Sequence, residues 1–146
     1  MKVLLAIDDS KYSEAATQAV LQQVRPEHGE VCVLHVVKPL LIIPRPYIGQ
    51  VESLEAAQQE RLKEGKELVK RAGQLLSGAG FRVHTDVEEG DPRTVITDYA
   101  ARWNADLIFM GSHGRTGLDK FLIGSVSEAV LRHAHCSVEI VRAAGI

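Results

Sequence analysis

Cysteine is scarce in this chain, since the 146 residues include only Cys32 and Cys136. Cys32 lies inside an apolar run and is interpreted as a small buried hydrophobic side chain, so no disulfide framework is predicted and a reducing compartment is expected. The start of the chain also lacks a long apolar run, because the apolar residues after Met1 and Lys2 stop at Asp8. Such a run is too short for a signal peptide or a membrane span, so we expect a cytoplasmic protein.

The chain also lacks a strong net charge. Its 17 lysine and arginine residues nearly balance 19 acidic residues, which gives a formal net charge of -2 at pH 7. No overall basic field then draws the chain to nucleic acid or to an anionic membrane, and neither is expected as a partner. With 45% hydrophobic and 25% charged residues, the composition is that of an ordinary globular protein. The length and composition predict a single domain over residues 1–146.

Five strand-like segments alternate with four helical segments along the chain. Strands are predicted at residues 2–7, 31–37, 81–87, 106–110 and 137–141, and helices at 13–24, 52–76, 92–103 and 125–132. Ser13 and Asp91 are predicted as the N-caps of the first and third helices. The stretch from Pro39 to Gly49 contains three prolines and is interpreted as an irregular loop.

Strict alternation of strands and helices predicts an α/β fold, a doubly wound five-stranded parallel sheet with helices on both faces. We expect the strand order 3-2-1-4-5, with the more polar third strand at an edge. Ligands of such sheets bind outside the carboxyl ends of the strands, where connections leave the first strand in opposite directions. Asp8, after the first strand, and Gly111, after the fourth, would flank that crevice.

A glycine-rich stretch, GSHGRTGLDKFLIGSVS, runs from Gly111 to Ser127 between the fourth strand and the last helix. Glycine permits close approach of the backbone to a ligand, and successive exposed amides form a nest for anions. The helix that opens at Gly124 adds free N–H groups and a dipole that favour phosphate. Ser125 and Ser127 can add hydroxyl donors, and Arg115 adds positive charge. The stretch therefore predicts a phosphate site.

Other motifs are absent or weak. No G-x-x-x-x-G-K-[ST] loop occurs, and the G-x-G at Gly78 and Gly80 follows a helix, so it is interpreted as a turn. The H-x-H-C sequence that ends at Cys136 has no matching pair of ligands, and no metal site is expected there. Asp8 has two interpretations that stay open, a contact to the ligand or only a cap of the first helix.

These residues resemble the universal stress protein family, whose ATP-binding members carry G-x2-G-x9-G-[ST]. Gly111, Gly114, Gly124 and Ser125 match that spacing completely. The first strand with its aspartate, the sequence LHVV at residues 34–37 and the ending HAHCSV are also similar to the family. The resemblance thus extends over the whole chain.

The resemblance implies an adenine nucleotide, ATP with or without Mg²⁺, between the first two strands and the glycine-rich stretch. Asp8 and the backbone of Val36 would contact the ribose or the adenine, and Met110 would border the base or ribose. The residues implied in binding are Ala6, Ile7, Asp8, Val36, Met110, Gly111, Gly114, Arg115, Gly124, Ser125, Val126 and Ser127.

The family commonly dimerises by pairing its last strands antiparallel, which implies a homodimer through the strand from Val138 to Val141. Two residues of this strand depart from the family pattern. Ser137 stands where the family usually has proline, and Glu139 stands where an apolar residue is common. A charge at that place suits a defended sheet edge as well as a partner contact.

Three functions are compatible with these features. The first is an ATP-binding stress-response or regulatory protein, which is homodimeric. The second is a slow ATP hydrolase or a phosphotransfer protein, and the third is an interaction module that works without nucleotide. Hydrolysis needs a positioned base and usually a metal ion. No residue is assigned a catalytic role, because the sequence identifies no base, and at most a weak ATPase activity is expected. The fold by itself does not choose among the three.

Overall fold

The computed structural model describes residues 1–40, 48–114 and 123–143. The elements in these ranges are β1 (Lys2–Ala6), α1 (Lys11–Gln23), a short 3-10 helix (Pro26–His28), β2 (Glu30–Val37), α2 (Ile48–Gly78), β3 (Arg82–Glu89), α3 (Pro92–Trp103), β4 (Leu107–Gly111), α4 (Ser125–His133) and β5 (Ser137–Val141). The five strands form a parallel sheet in the order β3-β2-β1-β4-β5. The predicted fold class, strand order and edge position of the third strand are confirmed. None of the helices in the described ranges has both the length and the apolar character that a bilayer span requires.

The largest differences between the predicted and observed boundaries are at the two ends of α2, predicted over residues 52–76. α2 begins at Ile48, so it includes Gly49, which the sequence assigned to a loop, and residues 41–47 of that predicted loop lie outside the described ranges. The last proline of the stretch is Pro46, and after it no residue lacks the N–H that a helix needs. α2 then continues to Gly78, and Gly80, with a φ of 98°, turns the chain toward β3.

The N-cap of α1 is Ser10 rather than the predicted Ser13. The Ser10 hydroxyl accepts the backbone N–H of Ser13 at 3.2 Å. Ser13 lies inside the first turn of the helix, where its hydroxyl donates to Asp8 Oδ1 at 2.9 Å. The hydroxyl is therefore already engaged, and the cap shifts three residues toward the strand. At α3 the predicted cap is confirmed, because Asp91 Oδ1 accepts the backbone N–H of Arg93 at 3.0 Å.

Helices cover the sheet on both faces, and the strands divide their side chains between two cores because successive residues of a strand point to opposite faces. The core beneath α1 and α2 contains Val3, Leu5, Ile7, Ala16, Val20, Val31, Val33, Val69, Leu76 and Phe109. The core beneath α3 and α4 contains Leu4, Ala6, Cys32, Leu34, Ile96, Ala100, Ile108, Met110 and Val130. The central strands are thus buried on both faces, which leaves their carboxyl ends as the place where polar groups meet.

A chain of hydrogen bonds joins α3 to the β3 edge of the sheet. The Cys32 thiol donates to the Tyr99 hydroxyl oxygen at 3.3 Å, and the Tyr99 hydroxyl donates to Asp86 Oδ2 at 3.0 Å. Burial raises the pKa of both the Cys32 thiol and the Tyr99 hydroxyl, so both stay protonated near neutral pH. Neither Cys32, which is 1% exposed, nor Cys136 forms a disulfide, as the sequence predicted.

Two buried glycines, Gly65 and Gly73, let α2 lie close to β2 and β3. A Cβ built on Gly73 would lie 2.9 Å from Thr85 Cγ2, and a Cβ built on Gly65 would lie 2.8 Å from His35 Cδ2. Both distances are shorter than real Cβ contacts, so a side chain at either position would force Thr85, His35 or the helix itself to move. A glycine inside a helix costs about 1 kcal/mol relative to alanine, and the close packing offsets this cost.

We expect Gly73→Ala to lower the free energy of unfolding by about 1–3 kcal/mol, the usual cost of overpacking a core. Gly78→Ala is the matched control, because nothing lies within 4 Å of a Cβ built there. That variant gains helix propensity, up to about 1 kcal/mol, without a clash. Urea unfolding followed by circular dichroism measures both changes. A Gly73→Ala protein as stable as the Gly78→Ala protein would contradict the close seating of α2.

Candidate functional site

A cleft of about 790 Å³ opens at the carboxyl ends of β1, β2 and β4. The connections from β1 and from β4 leave the sheet in opposite directions here, as predicted for the ligand crevice of a doubly wound sheet. The site residues named from the sequence that line the cleft are Ala6, Ile7, Asp8, Val36, Met110, Gly111, Gly114, Gly124, Ser125, Val126 and Ser127. Arg115, the remaining one, lies outside the described residues.

The two carboxylate oxygens of Asp8 face different places, one the start of α1 and the other the cleft. Its Oδ1 accepts the N–H of Ser10 at 2.9 Å and the hydroxyl of Ser13 at 2.9 Å. Ser13 Oγ in turn accepts the backbone N–H of Asp8 at 2.8 Å, so the turn is held from both sides. Oδ2 faces the glycine-rich stretch, because a Cβ built on Gly114 would lie 3.0 Å from it. One carboxylate oxygen therefore fixes the turn, and the other is directed toward the space above Gly114.

Close packing against α1 leaves no room for a side chain at Gly111. A Cβ built on it would lie 2.5 Å from Tyr12 Cβ and 2.8 Å from the backbone carbon of Tyr12. The carbonyl oxygen of Gly111 accepts the hydroxyl of Ser127 at 2.8 Å, and Ser127 is only 2% exposed. These contacts join the end of β4, the start of α1 and the first turn of α4 into one rigid rim of the cleft.

The first turn of α4 forms the other part of that rim. Its N-cap is Gly124, which has no side chain to cap the helix, and the first helical bond is made by the N–H of Glu128. The N–H of Gly124 itself donates to the carbonyl oxygen of Ser112 at 2.7 Å. The amides of the three residues after Gly124 precede that first helical bond, so they have no partner within the helix. With the positive end of the helix dipole, they make this turn a suitable place for an anion.

Between this rim and α3 the wall of the cleft is apolar. The side chains on this wall are Leu34, Val36, Pro92, Ile96, Met110 and Val126. Leu34, Ile96 and Met110 belong to the core beneath α3 and α4, so their positions are set by packing. An apolar wall next to a few placed polar groups is typical of small-molecule sites.

α2 adds residues to the cleft that the sequence did not indicate, among them Arg61, Glu64 and Arg71. The Arg61 guanidinium donates from Nη1 to the carbonyl oxygen of Lys38 at 2.7 Å, which ties α2 to the end of β2. His35 Nδ1 donates to the carbonyl oxygen of Ile7 at 2.7 Å and so joins the ends of β2 and β1. No local pattern could have singled out the α2 residues, because charged residues recur along the whole helix.

At the opposite end of the strands, before β4 and β5 begin, lies a more open depression of about 620 Å³ that is lined by residues 104–106 and 135–137. It includes His135 and Cys136 of the H-x-H-C sequence. Within the described part of the chain, no three histidine, cysteine or acidic residues come together in a way that could hold a metal ion. The arrangement of strands and helix ends therefore favours the cleft at the carboxyl ends as the functional site.

Comparison with known proteins agrees with this geometry. The model of the universal stress protein family matches residues 1–142. Universal stress protein MJ0531 of Methanocaldococcus jannaschii is 33% identical over 141 residues, which cover 97% of this chain and 81% of the relative. Universal stress protein Sll1388 of Synechocystis sp. is 30% identical over 149 residues and covers 97% of each chain.

Solved structures show the same fold. Hypothetical protein MJ0577 superposes with a TM-score of 0.79 at 29% identity, over 97% of this chain and 94% of that chain. A universal stress protein family protein from Arabidopsis thaliana, with AMP bound, has a TM-score of 0.69 at 19% identity, over 99% and 93% of the two chains. A universal stress protein in complex with cAMP has a TM-score of 0.71 at 19% identity, over 99% and 98%. The match of the family model and the curated relatives decides the assignment: this chain belongs to the universal stress protein family.

Proposed function

We propose that this chain binds an adenine nucleotide, ATP in the first place, in the cleft at the carboxyl ends of β1, β2 and β4. The observation that carries the proposal is the uncapped first turn of α4 at Gly124, which faces this cleft beside Gly114. Amides without helical partners at the positive end of a helix are a general site for phosphate.

The space for the phosphates depends on Gly114 and Gly124. A Cβ built on Gly124 would lie 3.0 Å from the carbonyl oxygen of Ser112 and 3.2 Å from His113 Cα, and Gly114 is exposed toward Asp8. A side chain at Gly114 would occupy the room between the loop and the carboxylate, and one at Gly124 would press on the loop at Ser112 and His113. The backbone amides of Ser125, Val126 and Ser127 would then donate to phosphate oxygens. The Ser127 hydroxyl already donates to Gly111, so we assign Ser127 to the site through its amide.

The base and ribose would occupy the part of the cleft above β1 and β2. Two strand spacings separate β4 from β2, about 10 Å, which a nucleotide bridges when its phosphates lie at α4. The apolar wall that includes Val36 and Met110 would cover the faces of the base. Asp8 Oδ2 would accept a ribose hydroxyl. If ATP arrives with Mg²⁺, the same oxygen is of the type that this ion prefers.

Relatives with this fold support the choice of an adenine nucleotide, since one holds AMP and another is a complex with cAMP. By its family, the chain would act in a stress response or in regulation, as a homodimer formed through β5, rather than as a dedicated enzyme. Slow ATP hydrolysis and a nucleotide-independent interaction module are the competing functions. Product formation from bound ATP would favour the first of these, and absence of any nucleotide binding would favour the second.

Gly114→Leu tests the phosphate site. We expect the variant to lose ATP binding by at least about 100-fold, because the side chain enters the space of the phosphates, while its melting temperature stays within a few degrees of the native value. Gly78→Leu is the matched control, since a Cβ at Gly78 meets nothing within 4 Å and the position is remote from the cleft. Isothermal titration calorimetry with ATP measures the affinity. Native affinity in Gly114→Leu would rule out the proposed phosphate site.

Gly111→Ala separates packing from ligand contact. The added Cβ would meet the backbone of Tyr12, which cannot rotate away, so we expect the free energy of unfolding to fall by about 3 kcal/mol. Gly114→Ala, whose Cβ meets only Asp8 Oδ2, should unfold like the native protein. Urea unfolding without nucleotide compares the two. Equal stability of the two variants would show that Gly111 is not a packing residue.

Asp8→Asn separates the two roles of Asp8. Asparagine keeps one oxygen that can accept hydrogen bonds from Ser10 and Ser13. It removes the negative charge and puts an NH₂ donor in place of the second acceptor oxygen. We expect stability near the native value and ATP binding weaker by about tenfold or more, the size of a lost hydrogen bond to a charged group. Calorimetric titration and thermal unfolding measure the two effects. Unchanged affinity would leave Asp8 with its role in the turn alone.

A further inference from the structure

The described sheet has two edges, β3 and β5, and they differ in character. β3 is eight residues long and its sequence, RVHTDVEE, is mostly polar. Charged edge strands resist pairing with another sheet, so β3 is a protected edge. β5 is five residues long with the sequence SVEIV, and Glu139 is its one charged residue.

β5 leaves apolar side chains partly open to solvent. Val138, Ile140 and Val141 pack against the two cores, yet each remains half-buried. Leu131, on the helix α4 that packs beside β5, is 52% exposed. Apolar side chains next to an edge strand are the features that favour addition of another strand. Between the two edges, β5 is therefore the one suited to a second copy of this chain, as the proposed homodimer requires.

The two-fold symmetry of such a dimer limits how β5 can pair with itself. In an antiparallel pair, directly opposite residues point to the same face, so the symmetry axis must pass between two copies of one residue. With the axis at Glu139, all five residues of each strand are paired: Ser137 with Val141, Val138 with Ile140, and Glu139 with its own copy. With the axis at Val138 or Ile140, only three residues of each strand are paired.

The pairing with the most backbone hydrogen bonds thus places two carboxylates side by side. Cβ atoms of opposite residues are about 4.5–5.5 Å apart, and like charges at that distance are destabilising. Gln23 Nε2 donates to Glu139 Oε1 at 2.7 Å, which holds the carboxylate on the α1 side of the sheet. The axis is perpendicular to the sheet, so the second carboxylate would lie on that same side.

We infer that Glu139 opposes its own copy in a β5-paired homodimer and limits the strength of that dimer. The inference rests on the homodimer of the proposed function and adds the register of pairing and the residue that controls it. β5 would then accept most readily a copy that carries a neutral or cationic residue at position 139. The charge of Glu139 weakens pairing at this edge, and the apolar residues beside it supply the attraction.

A charge exchange at position 139 tests the inference. We expect Glu139→Gln to lower the dissociation constant of the homodimer by about fivefold, as removal of one like-charge contact predicts. We also expect an equimolar mixture of the native chain and Glu139→Lys to form mixed dimers in excess of half of all dimers. Sedimentation velocity measures the dissociation constants. Native mass spectrometry resolves the three dimers of the mixture by mass.

Glu14→Lys is the matched control, because it makes the same change of charge at an exposed position in the first turn of α1. Its mixture with the native chain should contain the three dimers in the statistical ratio 1:2:1. The same statistical ratio for Glu139→Lys would overturn the opposition of the two carboxylates and leave the dimer in place. Absence of a dimer in the native chain, in Glu139→Gln and in the mixture would overturn the β5 homodimer itself, with nucleotide binding unaffected.

Discussion

The architecture of the site depends on how closely α1 passes the end of β4. Gly111 has no side chain, and only for that reason can the backbone of Tyr12 lie where a Cβ would otherwise be. The contact fixes the start of α1 relative to β4. Ser127 then attaches α4 to the same point, through its hydrogen bond to the Gly111 carbonyl oxygen. Three elements that are distant in the chain thus share one rigid junction, and the cleft opens beside it.

Some of the groups around the cleft hold the fold together, and others face its open space. Asp8 uses one carboxylate oxygen for the turn into α1 and presents the other to the space above Gly114. Gly111 and Ser127 hold the rim, and Gly114 and the amides after Gly124 face the open space. The glycines of one sequence motif are thus needed for different physical reasons. Gly111 is a glycine because of close packing, whereas Gly114 leaves space open in the cleft. This division explains why changes at neighbouring motif positions are expected to affect either stability or binding.

The two edges of the sheet differ in the character of their side chains. β3 is mostly polar and needs no partner, whereas β5 joins apolar side chains with one carboxylate. Symmetry turns that single carboxylate into a pair, because any centred self-pairing brings it opposite itself. Glu139 has no like charge opposite it in the monomer, but in the proposed dimer it would lie opposite a second carboxylate. The apolar contacts would supply the attraction through this edge, and the residue at position 139 would limit its strength.

Much of the fold was predictable from the sequence, because hydrophobic periodicity and β-α alternation depend only on neighbouring residues. The strand order was expected from that alternation, and the edge position of the third strand from its polar sequence. The spacing of Gly111, Gly114 and Gly124 drew attention to the glycine-rich stretch. The cap at Ser10 and the start of α2 at Ile48 were not predicted. The cap depends on the hydrogen bond that engages Ser13 with Asp8, and the start of α2 depends on the position of Pro46, the last proline before it.

The sequence by itself determined the fold class, the order of the strands, and the segments whose ends meet at the cleft. Only the tertiary structure decided that Gly111 is needed for Tyr12, that Asp8 divides its two oxygens, and that α2 brings Arg61 to the end of β2. The physical reason is the range of the interactions. Periodicity and caps act within a few residues, whereas these contacts join atoms that are close in space and far apart along the chain, and their distances exist only once the helices have packed on the sheet.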